Sequence, residues 1–195
     1  MSAQRPTATE QPSPENSLVL LVDVQGRLAS LMHESEAMIE QQRLLIQASQ
    51  LLDIPIVWAE QVPDKLGPTV APLAELLSDQ TPCHKVSFGC CEDPGLLQAI
   101  QSANRPHIIL AGIETHVCVW QTAATLLADG YAVHVVEDAI SSRSLSNKEV
   151  GLKRMYQAGG FASSVEMMIF GWMGNAKHPQ FRAISQLIKQ ASLET

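Results

Sequence analysis

The stretch RPHIILAGIETHVCVWQTAATLLADGYAVHVVEDA, residues 105–139, decides the fold. It opens with an apolar run at 105–112, continues through a helical pattern at 117–130, and ends in a second apolar run at 131–139. Gly130 stands where a helix C-terminus favours glycine. Two strands joined by one helix form a β-α-β unit, whose strands run parallel. The stretch therefore predicts a parallel sheet covered by helices.

The same alternation extends in both directions along the chain. SLVLLVDV at 17–24 and IPIVWAEQ at 54–61 are predicted strands, and apolar residues recur at helical spacing over 36–52 between them. Further helices are predicted at 73–78, 146–158 and 179–192, and another begins at Pro94 with Asp93 as its N-cap. Further strands are predicted at 84–88 and 161–165. The predicted fold is one three-layer, Rossmann-like α/β domain over 17–195 with a mostly parallel, roughly six-stranded sheet.

Composition narrows the class of protein. The net charge is −7 and the 13 basic residues are scattered, which disfavours nucleic acid and anionic membranes as partners and favours a small-molecule substrate. No apolar run approaches the roughly 18 residues of a membrane span. Four cysteines are too few for a disulfide scaffold, so reduced thiols are expected. The polar, proline-containing residues 1–16 predict a disordered tail on a cytoplasmic protein.

Polar or reactive residues lie where the predicted strands end. In a parallel sheet, ligands bind outside the carboxyl ends of the strands, so residues following different strands can share one pocket. The residues placed at this edge are Asp23, Glu60, Cys118 and Asp138. Lys85, in HKVSF, adds a cation at the start of a predicted apolar strand. These positions predict a reactive site at the carboxyl edge of the sheet.

Cys118 is the candidate nucleophile. A thiol in the first turn of a helix lies near the positive end of the helix dipole, which favours the thiolate, so we expect its pKa to fall below the reference value near 8.5. The alternative is a small buried core residue. Asp23 has its own alternative as a loop cap, and Lys85 as a solvated surface residue. Each alternative weakens if the three side chains converge.

Three segments together resemble the isochorismatase-like cysteine hydrolases: LVLLVDVQ, HKVSF and GIETHVCVWQTAATLLADGY. WAEQVPDKLGPT and VVEDAISSRS further resemble the small isochorismatase-domain-containing subgroup, and the resemblance spans about residues 17 to 175. It implies an Asp-Lys-Cys triad at Asp23, Lys85 and Cys118. It also implies a non-proline cis peptide at Ile113–Glu114.

The resemblance implies acyl transfer from a small amide to water. Asp23 would accept the thiol proton, Lys85 would favour the thiolate, and Cys118 would attack a carbonyl carbon to form a thioester that water then hydrolyses. The N–H groups of Glu114 and Cys118 would hold the oxyanion. The residues expected to line the substrate pocket are Gln25, Glu60, Phe88 and His116.

Metal and cofactor sites are not predicted. Nicotinamidases of this family carry histidine metal ligands after the second strand, whereas this chain has no histidine between His33 and His84. The segment CHKVSFGCC at 83–91 is a weaker candidate for a zinc site, because its spacing lacks a C-x-x-C pair. Cys90 and Cys91 are instead expected to line or underlie the pocket.

Non-enzymatic functions are also compatible with an α/β chain. The glycine-rich motifs of nucleotide-binding folds are absent, which disfavours a nucleotide-binding module. A non-catalytic binding or scaffold protein that keeps the fold stays open, and intact triad residues count against it. Trp58 and Trp120 are expected to pack in the core rather than wall the pocket. The family resemblance also implies a homodimer or a larger homo-oligomer.

Overall fold

The protein folds around one six-stranded sheet, seen in a computed structural model that describes residues 11–194. The strands lie in the order β3-β2-β1-β4-β5-β6, and every pair is parallel. They are β1 Ser17–Val22, β2 Ile56–Gln61, β3 Cys83–Lys85, β4 His107–Ile113, β5 Ala132–Ser141 and β6 Phe161–Ser163. The predicted three-layer α/β fold with a six-stranded sheet is confirmed.

Helices cover both faces of this sheet. They are α1 Gly26–Ser30, α2 Ser35–Leu51, α3 Pro63–Leu66, α4 Ala71–Ala74, α5 Pro94–Ala103, α6 Trp120–Ala128, α7 Leu145–Gln157, α8 Val165–Met173 and α9 Phe181–Glu194. Asp93 caps α5 through hydrogen bonds from the N–H groups of Gly95 and Leu96, as the Asp-Pro pair predicts. No helix within residues 11–194 is long and apolar enough to cross a membrane.

The central strands are buried on both faces. Along β1, Val19 and Leu21 pack into the core layer beneath α2, α8 and α9, while Leu18 and Leu20 pack into the layer beneath α5, α6 and α7. Side chains of successive strand residues point to opposite faces, so a strand with helices on both sides needs apolar residues throughout. The continuous apolar runs of the sequence have this cause.

The order of the strands places a crevice between β1 and β4. The chain builds outward from β1 through β2 to β3 and then returns to the other side of β1 with β4. Ligands in such sheets bind where the order reverses, outside the carboxyl ends of the strands. Gly112 allows the close approach of these two strands, because it has a φ of 127° and an added Cβ would lie 2.2 Å from the Val22 carbonyl oxygen.

Several elements differ from the prediction. Helix α8 was not predicted, because VEMMIFGWM is apolar at most positions and shows little helical period; its buried residues include Val165, Met168, Ile169 and Trp172. The short helices α1 and α3 were also missed. Lys85 ends β3, so its placement at the start of a strand over 84–88 was wrong.

The predicted N-terminal tail lies mainly outside the described residues. Residues 1–10 are not part of the description, and residues 13–16 form a turn in which the Asn16 N–H donates to the Ser13 carbonyl at 3.2 Å. The Ser13 N–H in turn donates to the Asn16 side-chain oxygen at 2.6 Å. The segment directly before β1 is therefore a hydrogen-bonded turn.

Candidate active site

Lys85 brings a fully buried ammonium to the carboxyl edge of the sheet. Its Nζ donates to Asp23 Oδ2 at 2.5 Å and to Gln61 Oε1 at 2.7 Å. The carbonyl oxygens of Ser87 and Phe88 lie 3.2 and 3.0 Å from the same nitrogen. Four oxygens thus surround a group with three protons, which compensates the cation for its loss of water and fixes its position.

Asp23 directly follows β1 and is 2% exposed. Its φ of 54° lies in the left-handed region, and its N–H donates to the Ala59 carbonyl of the neighbouring strand at 3.1 Å. Burial raises the pKa of the Asp23 carboxyl, although the Lys85 ammonium opposes that shift. Oδ1 is buried and has no hydrogen-bond partner among the described residues. One carboxylate oxygen is therefore held by the cation and the other is available to a proton.

Cys118 lies in a π-helical turn, Thr115–Val119, that joins β4 to α6. The residue is 8% exposed. Burial and the nearby Asp23 charge raise the pKa of its thiol to about 12, even though Lys85 and the Glu114 N–H act in the opposite direction. The prediction of a pKa below 8.5 was therefore wrong, because loss of solvent outweighs both the helix end and the cation. The thiol is protonated at neutral pH.

Glu114 connects the nucleophile to the rim of the site. The Ile113–Glu114 peptide bond is cis. The Glu114 N–H lies near enough to the Cys118 sulfur to lower the thiol pKa. On its side chain, Glu114 Oε2 accepts from Arg143 Nε at 3.0 Å and from the Arg143 N–H at 3.3 Å.

A threonine and a second cysteine lie beneath the nucleophile. The Cys90 N–H donates to Thr122 Oγ1 at 3.0 Å, and that hydroxyl donates to the Cys118 carbonyl at 2.7 Å. Cys90 is fully buried, and burial strongly raises its thiol pKa. Cys90 therefore underlies the site as an unreactive thiol.

Two residues expected in the substrate pocket instead hold a loop. Gln25 is fully buried; its Oε1 accepts from the Gln61 N–H at 2.6 Å and its Nε2 donates to the Gly67 carbonyl at 2.7 Å. Glu60 Oε1 accepts from the N–H and hydroxyl of Thr69 at 2.7 and 2.8 Å. Both residues fasten the 62–69 segment to the sheet edge, so their polar atoms are already bonded within the protein.

The remaining residues expected in the pocket lie nearer the surface. Phe88 is 55% exposed, and its own carbonyl oxygen accepts from the Lys85 ammonium. His116 is half-buried, with Nδ1 3.0 Å from the Ser142 hydroxyl. The Asp138 carboxylate accepts from the Val165 N–H at 3.0 and 3.2 Å and so caps α8. Because α8 begins directly after β6, this carboxylate lies at the carboxyl end of β6 and is bonded within the protein.

The two tryptophans occupy different environments. Trp58 is buried in the core layer beneath α2, as expected for a packing residue. Trp120 is partly exposed, and the Arg154 guanidinium lies 5.0 Å from the centre of its ring. Within residues 11–194, no group of three or more histidine, cysteine or acidic side chains lies close enough to share a metal ion.

Gln61 and Arg143 were missed by sequence reasoning. Gln61 ends β2 as Asp23 follows β1, so the rule that selected Asp23 also applies to Gln61. Its side chain accepts from Lys85 and donates to the Val86 carbonyl at 2.7 Å. Arg143 had no such signal in the sequence, because its hydrogen bond to Glu114 joins residues that are 29 positions apart along the chain.

Comparisons with known proteins agree on one family. The model of the isochorismatase domain matches residues 17–167. Isochorismatase domain-containing protein 2 of Bos taurus is 37% identical over 195 residues, covering 98% of this chain and 92% of that protein. The secreted isochorismatase effector Isc1 of Phytophthora sojae is 37% identical over 183 residues, covering 91% of this chain and 86% of that protein.

A solved structure is similarly close. It is that of a protein named MAR1 ribonuclease from Caenorhabditis elegans, and it is 38% identical to this chain with a TM-score of 0.86. The match covers 92% of this chain and 93% of that one. This solved protein is therefore similar to the chain in both sequence and fold.

Proposed function

The chain belongs to the isochorismatase family, and on that premise we propose that it is a cysteine hydrolase acting on a small amide-like or related carbonyl substrate. Cys118 is the nucleophile, Asp23 the proton acceptor and Lys85 a fixed cation. Family membership supports hydrolysis as the reaction type. The amide specificity and the triad are our inference from the residues at the site.

The buried pair of Lys85 and Asp23 carries this proposal. Burying an ammonium and a carboxylate is expensive, and a buried ion pair often stabilises a protein no better than apolar residues would. This pair lies at the crevice between β1 and β4, where both charges influence the pKa of the Cys118 thiol. A costly pair beside a thiol is typical of a site arranged for chemistry.

The reaction proceeds in two acyl-transfer steps. Asp23 takes the thiol proton as Cys118 sulfur bonds to the substrate carbonyl carbon, and the Glu114 N–H supports the oxygen that becomes negative. The carbon–nitrogen bond then breaks, and Asp23 returns the proton to the leaving amine. In the second step Asp23 accepts a proton from water, water oxygen attacks the thioester, and the released thiolate regains a proton.

A mass-resolved screen of small amides tests the proposal. We expect the wild-type protein to release the acid and amine of at least one amide, and we expect Cys118→Ala to release neither. Hydroxylamine should intercept the thioester as a hydroxamate. Cys83→Ala is the matched control, because Cys83 is a half-buried thiol outside this arrangement, and it should keep full activity. Turnover that survives Cys118→Ala would refute the proposed nucleophile.

The ribonuclease name of the solved relative supplies a second substrate class. RNA is a polyanion, and the net charge of −7 disfavours its binding. Incubating a labelled RNA with the wild-type protein and with Cys118→Ala separates the classes. Cleavage of RNA that depends on Cys118 would contradict a small-molecule substrate.

A scaffold role, assembly and location are settled by separate measurements. Absence of turnover together with unreactive Cys118 would favour a scaffold. A homodimer or larger assembly is proposed from the family resemblance, and light scattering tests it. The cytoplasmic location stays a prediction, and the secreted relative in Phytophthora sojae gives reason to test it by cell fractionation.

A further inference from the structure

Arg143 is a cation bonded to Glu114, the residue that precedes the turn carrying the nucleophile. The Glu114 N–H acts on the Cys118 thiol and lowers its pKa, and the Glu114 carboxylate accepts from Arg143 Nε at 3.0 Å. The Arg143 backbone N–H donates to the same carboxylate oxygen. These two contacts fix the base and the Nε edge of the guanidinium.

The rest of the Arg143 guanidinium faces outward. Its side chain is 59% exposed, and the two terminal nitrogens have no bonding partner among the described residues. An arginine whose orientation is already fixed loses little side-chain entropy when it binds an anion. A planar edge with N–H donors matches the geometry of a carboxylate.

The surrounding charge favours an anion at the same place. Arg143 precedes Ser144, the N-cap of α7, and the N-terminal end of that helix carries a partial positive charge. The segment 143–154 contains four cations and one acid in a chain whose net charge is −7, and it is the exception to the otherwise scattered basic residues. Gly151 packs α7 tightly on the nucleophile turn, since an added Cβ would lie 2.8 Å from the Thr115 carbonyl. The middle of α7 is therefore held against the turn that carries Cys118.

We propose that Arg143 forms a carboxylate subsite, so that the substrate is an amide carrying an anionic group near the bond that breaks. The inference rests on the proposed function for the identity of the nucleophile. Glu114 has two roles in it: its N–H acts on the Cys118 thiol and its carboxylate orients the guanidinium.

Iodoacetate and iodoacetamide test the subsite without a known substrate. Both transfer a CH₂ group to the Cys118 sulfur with loss of iodide, and they differ mainly in carrying a carboxylate or a neutral amide. We expect the iodoacetate-to-iodoacetamide rate ratio at Cys118 to exceed that of N-acetylcysteine by about tenfold, the low end for a charge-assisted hydrogen bond. The iodoacetate rate should saturate with concentration. Peptide mapping at pH 9 measures both rates.

Variants separate a specific subsite from general charge. Arg143→Met should lower the ratio to that of N-acetylcysteine, whereas Arg143→Lys should retain part of the preference. Any change in the thiol pKa acts on both reagents and cancels in the ratio. Lys153→Met is the matched control, since it removes an exposed cation from α7, and it should leave the ratio unchanged.

The outcomes distinguish this inference from the proposed function. Equal ratios in the wild type and Arg143→Met would overturn the subsite, as would an equal loss in Lys153→Met. Hydrolysis of neutral amides with no preference for anionic ones would overturn the substrate class while leaving the hydrolase intact. A high ratio that depends on Arg143 would support the subsite even if no tested amide is hydrolysed.

Discussion

Replacing Asp23 with Asn should make Cys118 more reactive toward alkylation while hydrolysis is lost. Asp23 raises the thiol pKa through its charge and its contact with the thiol. Asn removes that charge but keeps an oxygen that can accept from the Lys85 ammonium, so the cation remains beside the sulfur. The thiol then ionises more readily, although no side chain is left to carry its proton during the reaction.

The size of the effect follows from the thiol pKa. With a pKa of about 12, roughly one thiol in ten thousand is ionised at pH 8. Each unit by which the pKa falls raises the thiolate fraction about tenfold, but it also lowers thiolate nucleophilicity, so the rate rises about three- to fourfold. Burial, the largest cause of the shift, persists in the variant. A fall of about two units, giving roughly tenfold faster alkylation, is the expected scale.

Peptide mapping of iodoacetamide adducts between pH 6 and 10 measures this effect. Cys83 in the same samples serves as an internal reference thiol. Asp138→Asn is the matched control, because it removes a partly buried carboxylate that caps α8 instead of facing the thiol. The reasoning is refuted if Asp23→Asn leaves the Cys118 rate unchanged or lowers it, or if Asp138→Asn raises it equally.

Three further perturbations have defined outcomes. Lys85→Met should raise the thiol pKa and slow iodoacetamide labelling across the same pH range, and unchanged labelling would show that the cation has no influence on the sulfur. Burial lowers the pKa of His134 to about 4, so the unfolded chain binds a proton before the folded protein does, and stability falls as the pH drops from 6.5 toward 4. Urea titrations should show that about 2 kcal/mol of unfolding free energy is lost by pH 5. An identical pH dependence in His134→Gln would contradict this. Gly151→Ala should lower the unfolding free energy by about 1–3 kcal/mol, because its Cβ would lie 2.8 Å from the Thr115 carbonyl. Gly171→Ala, with no atom within 4 Å, should raise the melting temperature instead, and similar melting temperatures for these two variants would argue against tight packing at Gly151.

The sheet was predictable because burial on both faces leaves a simple signal. Strands such as β1 and β4 are short, continuous apolar runs that end at polar residues. The same signal fails for α8, where an apolar segment gives a helix whose exposed face includes Met167 and Phe170. In β3 the pairing with β2 stops at Gln61 and Lys85, and no residue pattern marks that end.

The candidate site was predictable in its residue types and only partly in their roles. A carboxylate at the end of a buried strand must meet a polar partner, and this reasoning selected Asp23. Lys85 was selected as a cation at the start of an apolar strand, whereas it ends β3. It could not reveal that the amide of Gln25 is already bonded within the chain. The sign of the Cys118 shift was missed because a helix end is visible in a sequence and depth of burial is not.

A protonated thiol is compatible with catalysis because the proton need not reach solvent. When it passes from Cys118 to Asp23, one negative charge moves from the carboxylate to the sulfur and the net charge of the buried group stays the same. Lys85 faces a single anion before and after the transfer, and its contacts with Gln61 and two carbonyls hold it in place during the exchange. The pKa of about 12 refers to loss of the proton to water, whereas the reaction requires only its transfer within the pair. Burial therefore protects the thiol from solvent while leaving the internal transfer open.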